Sequence, residues 1–184
     1  MKTVYKKIET LNVTKKNNLN NFNFDMNSIK NLRKQCKEVK LRNVFYRLIN
    51  KDFFTAERMY RYKMTPTSSC SRCGDIENNS HLLYECRFSR DMWSNFNKVI
   101  KQHYNSKYAI NRYEDIYNFD NGHIENVLKL KLINELIQID RPKHLTENKI
   151  INLANDFKNI EKYIIIKNNK DLLAFNKKWK VEIT

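Results

Sequence analysis

A mainly α fold, a helical bundle-like assembly, is the expectation from three features of the sequence: almost no turn residues, apolar residues recurring in steps of three and four, and one tight cluster of cysteines. Two glycines and two prolines in 184 residues cannot furnish the turns that a β-sandwich or barrel needs about every 8 to 12 residues. With 41% hydrophobic and 12% aromatic side chains the chain has material for a packed core, kept modest by a mean hydropathy of −0.76. The length suits one domain or two small ones.

Residues 1–26 are rich in Asn and Lys, and KKNNLNNFNF has neither a helical nor an alternating period, so a flexible or tethering arm is expected there. A helical domain carrying the cysteines is expected over 27–104, with a C-terminal helical segment, 105–184, packing on it. Asn27 and Ser28 offer a helix cap. Ile29, Leu32, Cys36 and Val39 then share an apolar face about 80° wide, with Lys30, Arg33, Lys34 and Lys37 on a cationic side. The apolar phase shifts after Lys40, where Leu41, Val44, Phe45, Leu48 and Ile49 open a second helix. Thr55 caps a short helix to Tyr62 with Ala56, Met59 and Tyr60 facing inward, and 64–69, containing Pro66, form a loop. Ser89 caps a helix whose stripe is Trp93, Phe96 and Ile100.

Beyond Tyr104 the pattern predicts a short helix near Tyr113–Tyr117, a longer one from His123 to about Ile139, and a stop at Pro142. A helix capped by Thr146 follows, burying Leu153, Phe157, Ile160 and Ile164, and the terminal stretch Asp171–Trp179 docks through Leu172, Phe175 and Trp179. His103, His123 and His144 are expected at the surface or as caps, and Cys36 in the core.

The chemistry concentrates in CSRCGDIENNSHLLYEC, which reads Cys70-x2-Cys73-x7-His81-x4-Cys86. Three thiols and an imidazole are the donors a tetrahedral zinc ion takes, and a C-x2-C turn presents two of them together. Gly74 stands where such a knuckle often turns through positive φ. Ser80 is placed to cap a short helix starting at His81, with Leu82 and Leu83 pointing inward. His81 and Cys86 lie about 140° apart on an α-helical wheel, so both reach one ion only if the helix loosens or ends near Cys86. A disulfide or plain buried cysteines are the competing readings; an intracellular setting disfavours the first, and the ligand order disfavours both. The bundle is therefore expected to be organised around one CCHC zinc knuckle, with a structural Zn2+ on Cys70, Cys73, His81 and Cys86. A site without an open position holds helices and does not activate water.

The formal net charge of +15 is uneven, with +11 on residues 1–63 and +4 on the rest. A basic first third suits a polyanion, most often nucleic acid, although a Lys- and Asn-rich composition serves solubility equally well. Arg58, Arg61, Tyr62 and Lys63 lead into the knuckle, Arg72, Arg87 and Arg90 flank its ligands, and Lys34 and Lys37 lie on the earlier cationic face. Cations neutralise phosphates and release counterions, while a tyrosine face stacks an unpaired base. These residues are the candidate contacts with RNA or DNA. Helix packing is the favoured role for Tyr60, and a solvated or ion-paired face competes evenly for Arg58 and Arg61.

From about Lys34 to Phe96 the chain resembles the zinc-binding region at the C-terminal side of reverse transcriptases of non-LTR (LINE-type) retrotransposons. VKLRNVFYRLINKDFFTAERMYRYKM, the C-x2-C pair, Asp75 and Glu77, His81-Leu82 through to Cys86, and Trp93 carry the resemblance. Phe45 or Tyr46 stands where the family's first helix has a tryptophan, and Asn78-Asn79 where an acidic residue or threonine is common. The resemblance implies a non-catalytic accessory part that helps the polymerase hold template RNA or target DNA during target-primed reverse transcription. It also implies the polymerase part of the same element as a partner, and a nuclear or cytoplasmic setting. The palm motif Y-x-D-D is absent, Tyr113-Glu114-Asp115-Ile116 lacking its second aspartate.

No Gly-rich phosphate loop, Rossmann fingerprint, nucleophile elbow or H-E-x-x-H is present. There is no run of about 18 apolar residues and no apolar leader at the start, so an intracellular chain with neither a membrane nor a small-molecule substrate is expected. One alternative is a protein-interaction module docking through Leu153, Phe157, Ile160 and Ile164 or through the Trp179 tail. Ranked below it is a metal-dependent nuclease drawing on Asp115, Asp120, Glu125, Asp140 and Lys143, for which the family's P-D motif is missing.

Overall fold

The stripe that opens at Leu41 becomes helix α1, Val39–Ile49, with Leu41, Val44, Phe45 and Leu48 buried. This computed structural model describes residues 32, 38–119, 122–138, 144–168 and 172–179. Among them the fold is mainly helical, and one isolated bridge, Ser69 with Ile76, is the only β pairing. The expected arm 1–26, the cap at Asn27 and Ser28, and Ile29, Lys34, Cys36 and Lys37 lie outside the described residues, as do Ile139, Pro142 and Asp171. Leu32 is helical and buried. Val39 is 73% exposed, so it does not continue the face of Leu32: the apolar phase has already shifted where α1 begins.

Thr55 caps α2, Ala56–Arg61, its Oγ1 accepting from the Arg58 N–H at 3.2 Å. Such a cap contributes about 1 kcal/mol. Only Ala56 of α2 is buried; Met59 is half-buried and Tyr60 is 52% exposed, against the inward orientation expected for it. The helix is too short to offer a buried stripe, and its first turn alone is anchored. Helix α3, Arg87–Tyr104, buries Met92, Trp93, Phe96, Val99 and Ile100. It starts ahead of Ser89, which is therefore a buried residue of the first turn and not its cap.

Tyr113–Tyr117 forms a 3-10 turn. Helix α4, His123–Leu136, is buried on every side, with Val127, Leu128, Leu130, Leu132, Ile133 and Leu136 alongside Asn126 and Lys129, which marks it as the central helix. It packs on α1, on α5 (Glu147–Lys167) and on the π-helical turn His81–Glu85, while α3 packs on α5 and that same turn. The Lys129 ammonium donates to the Asn118 carbonyl and, at 3.1 Å, to the Tyr108 hydroxyl, and sits 4.0 Å from the Phe119 ring centroid, so its charge is not buried bare.

Thr146 caps α5 as expected, accepting from the Lys149 N–H at 3.4 Å. The buried face, however, is Ile150, Ala154, Phe157, Glu161 and Ile165. Of the expected Leu153, Phe157, Ile160 and Ile164, only Phe157 is fully buried; Leu153 is half-buried against the core, Ile164 is half-buried, and Ile160 is 39% exposed. A polar residue takes part because the Trp179 indole N–H donates to Glu161 Oε2 at 2.9 Å, and His123 Nε2 lies 3.7 Å from the same oxygen. His123 is accordingly drawn inward against the Phe157 ring, 5.6 Å between centroids, not left on the surface. Helix α6, Leu172–Lys178, docks through Phe175 and the following Trp179, with Leu172 at the rim. One apolar cluster runs from Leu32 to Trp179. No described helix is long and apolar enough to cross a membrane.

Candidate metal centre

Two backbone pairings fold 68–77 into a tight loop: Glu77 N–H donates to the Ser68 carbonyl at 3.0 Å, and Cys70 N–H to that of Asp75 at 2.7 Å. Inside it, Gly74 N–H donates to the Cys70 carbonyl at 2.9 Å, closing the C-x2-C turn. Gly74 has φ +89° with nothing within 4 Å of an added Cβ, so the demand for glycine is torsional and not steric. Glu77, fully buried, ties this loop to α2: its Oε1 accepts from Ala56 N–H at 2.9 Å and its carbonyl from Glu57 N–H at 3.1 Å. With Thr55 holding the Arg58 N–H, the first-turn donors of α2 are all satisfied, two of them by the knuckle.

The second ligand pair is brought together by the looser helix its spacing requires. His81–Glu85 is π-helical, and Cys86 N–H donates to the His81 carbonyl at 3.0 Å, the i to i+5 bond that stacks residues five apart over one another. Ser80 does not cap it. Asn78 does, its Oδ1 accepting from the His81 N–H and the Ser80 hydroxyl, both at 2.8 Å, while Asn79 Nδ2 donates to the Lys51 carbonyl at 3.0 Å. Each asparagine at this unusual position thus has a structural task.

Carbonyls the turn leaves free are taken up by α3 and by Arg72. Ser89 Oγ donates to the Leu82 carbonyl at 2.8 Å and accepts from Arg72 Nη2 at 3.1 Å; Trp93 Nε1 donates to the Leu83 carbonyl at 2.7 Å. Leu82 and Leu83 are buried, as expected. Arg72 is only 8% exposed. It braces the two halves of the ligand loop from inside, and its assignment as a phosphate contact is corrected: a guanidinium held there does not face a polyanion.

All four ligand atoms lie within 4.8 Å of one another. Cys73 Sγ is 3.2 Å from His81 Nε2 and 3.8 Å from Cys86 Sγ. Sulfur and nitrogen donors on one tetrahedral zinc stand about 3.5–3.8 Å apart, so the set fits a single four-coordinate ion. The three thiols are not in disulfides, which removes that competing reading for them. Burial, reinforced by the Cys86 and Cys70 thiols beside it, pushes the Cys73 thiol up to about 12; a divalent cation reverses that preference and holds the thiolate. Among the described residues this is the one group of ligands gathered closely enough for a metal.

The other expected site residues divide. Arg61, Tyr62, Lys63, Arg87 and Arg90 are exposed. Arg58 is engaged, paired with Asp52 and 5.6 Å from the Phe54 centroid; its pKa is raised, chiefly by the Asp52 hydrogen bond. Of the nuclease candidates, Asp115 accepts from the N–H groups of Asn111 and Arg112, both at 2.9 Å, and so caps the 3-10 turn; Asp120, Asp140 and Lys143 lie outside the described residues. Glu77 and Ser89 carry no local signal as supports, because each bonds backbone that only the folded loop brings near; Asn78, bonding groups two and three residues on, is a local cap.

A family described as zinc-binding in reverse transcriptase matches residues 1–93, reaching well ahead of Lys34 and covering half of the chain. No curated protein and no solved structure matches. With the four ligands and Trp93 within that match, the chain belongs to the reverse-transcriptase zinc-binding family.

Proposed function

We propose that Cys70, Cys73, His81 and Cys86 hold one structural zinc ion, and that the resulting scaffold presents a basic face gripping template RNA or target DNA for a non-LTR retrotransposon reverse transcriptase. The observation that carries this is the pair of hydrogen bonds that Glu77 accepts, through Oε1 and its carbonyl, from the Ala56 and Glu57 N–H groups at the start of α2. It makes the ligand loop the support of the helix that ends at Arg61 and leads into Tyr62 and Lys63. Arg87 and Arg90 follow the last ligand directly, so exposed cations leave the knuckle on both sides. Three thiolates on a divalent ion carry net negative charge, which the buried Arg72 offsets from within, leaving the outer cations for phosphates.

Zinc binding contributes roughly 10–16 kcal/mol in small zinc peptides near neutral pH, far above what a loop of this size buries. Metal analysis of the purified chain is expected to give one zinc, and chelation or Cys73→Ser to expose residues 64–95 to hydrogen exchange. Affinity for RNA or DNA is expected to fall linearly on a log–log salt plot, by about 0.7 per phosphate contacted on single strands. A zinc-loaded chain with no salt-dependent binding would defeat the nucleic-acid role. A metal-free chain with the same exchange pattern would defeat the scaffold.

A further inference from the structure

Beside the knuckle, Tyr60, Arg61, Lys63, Met64, Thr65 and Pro66 line an open groove of ≈ 580 Å³. Its charge is one-sided: two of the six are cations and none is a carboxylate, and among the described residues neither Arg61 nor Lys63 forms an ion pair. Its apolar surface is bare, Tyr60 being 52% and Met64 65% exposed, although burial of either is worth roughly 1.5–3 kcal/mol. The wall is also set in place. Lys63 N–H donates to the Tyr60 carbonyl and Met64 N–H to that of Met59, both at 2.9 Å, which closes the end of α2 around Lys63 at φ 57° and turns Met64 to Pro66 back beside the helix.

An aromatic ring and a proline flanked by unpaired cations match a flat base with phosphates on either side. They do not match a duplex, whose bases are stacked away from such a surface. We propose that this groove takes one unpaired base of a single-stranded nucleic acid against Tyr60, with the neighbouring phosphates on Arg61 and Lys63. The inference rests on the nucleic-acid role above and adds the strandedness of the ligand and the residue that reads it.

The test is fluorescence anisotropy of the zinc-loaded chain with a ten-nucleotide RNA, the same sequence in DNA, and the RNA duplex, each titrated with salt. Tighter binding of both single strands than of the duplex is expected, with RNA and DNA alike because neither stacking nor phosphate neutralisation reads the 2′-hydroxyl. Tyr60→Leu is expected to weaken single-strand binding about 5- to 150-fold, with the salt slope and the duplex affinity unchanged. Lys63→Gly is expected to reduce the slope by about 0.7 without lowering Tm, since glycine is at ease at that φ. Unchanged affinity in Tyr60→Leu, a large preference for one sugar, or a duplex bound as tightly as the single strand would overturn the groove while leaving the nucleic-acid role standing. No salt-dependent binding of any probe would remove both.

Discussion

Arg72 shows how far a residue's role departs from its type. Placed between two cysteines of the candidate metal centre in a basic chain, it reads as a phosphate contact; buried against Ser89 Oγ and the Leu82 carbonyl, it is part of the scaffold. Arg72→Ala is therefore expected to lower stability by about 1–3 kcal/mol, the cost of losing a buried hydrogen-bonding group, and to leave the salt dependence of nucleic-acid binding unmoved. Denaturant titration beside a salt titration separates the two. A variant that keeps its stability and loses salt slope would return Arg72 to the surface role. The contrast is Arg87, exposed with its guanidinium 4.8 Å from the Phe88 centroid, where no comparable loss of stability is expected.

Short elements depend on their neighbours more than on their own propensity. Helix α2 has six residues, below the length at which an isolated helix holds, and its first turn is secured by Thr55 and Glu77. Glu77→Ala strands the buried Ala56 N–H, at a cost of about 1–3 kcal/mol. It is expected to speed hydrogen exchange over 55–63 while the zinc content stays at one. Exchange no faster than in the native chain would show that the ligand loop does not hold α2. The π-helical turn is the counterpart: Asn78, Ser89, Arg72 and Trp93 satisfy the groups its irregular ladder leaves over.

At the scale of the molecule, the apolar cluster joins the ligand turn to the C-terminal helices, and it includes Tyr117 with Tyr104, Tyr108 and Tyr113 packed partly buried against it. Burial pushes Tyr104 up to about 12, with Glu125 adding to it, and likewise raises Tyr108, Tyr113 and Tyr117. Since phenols in an unfolded chain titrate near pH 10, the folded state favours their neutral form. The stability this represents is complete below about pH 10 and is lost as pH rises toward the folded values. Alkaline titration is expected to release tyrosinate absorbance together with loss of helical circular dichroism. Tyrosinate forming fully near pH 10 with the helices intact would contradict the packing of these tyrosines.

Much was legible beforehand. The gathering of Cys70, Cys73, His81 and Cys86, positive φ at Gly74, the caps at Thr55 and Thr146, and the stripes of α1 and α3 all depend on residues close in sequence, whose periodicity and side-chain chemistry act locally. Other features were not, among them the exposure of Tyr60, the rotated face of α5, and the inward His123 and Arg72. Each turns on a partner far along the chain or on the lack of one, such as Trp179 for Glu161 or Ser89 for Arg72. Local pattern says which residues can be buried or can bind a metal. Which face wins, and which cation remains free for a ligand, follows from the free energy of satisfying polar groups that meet only once the chain has folded.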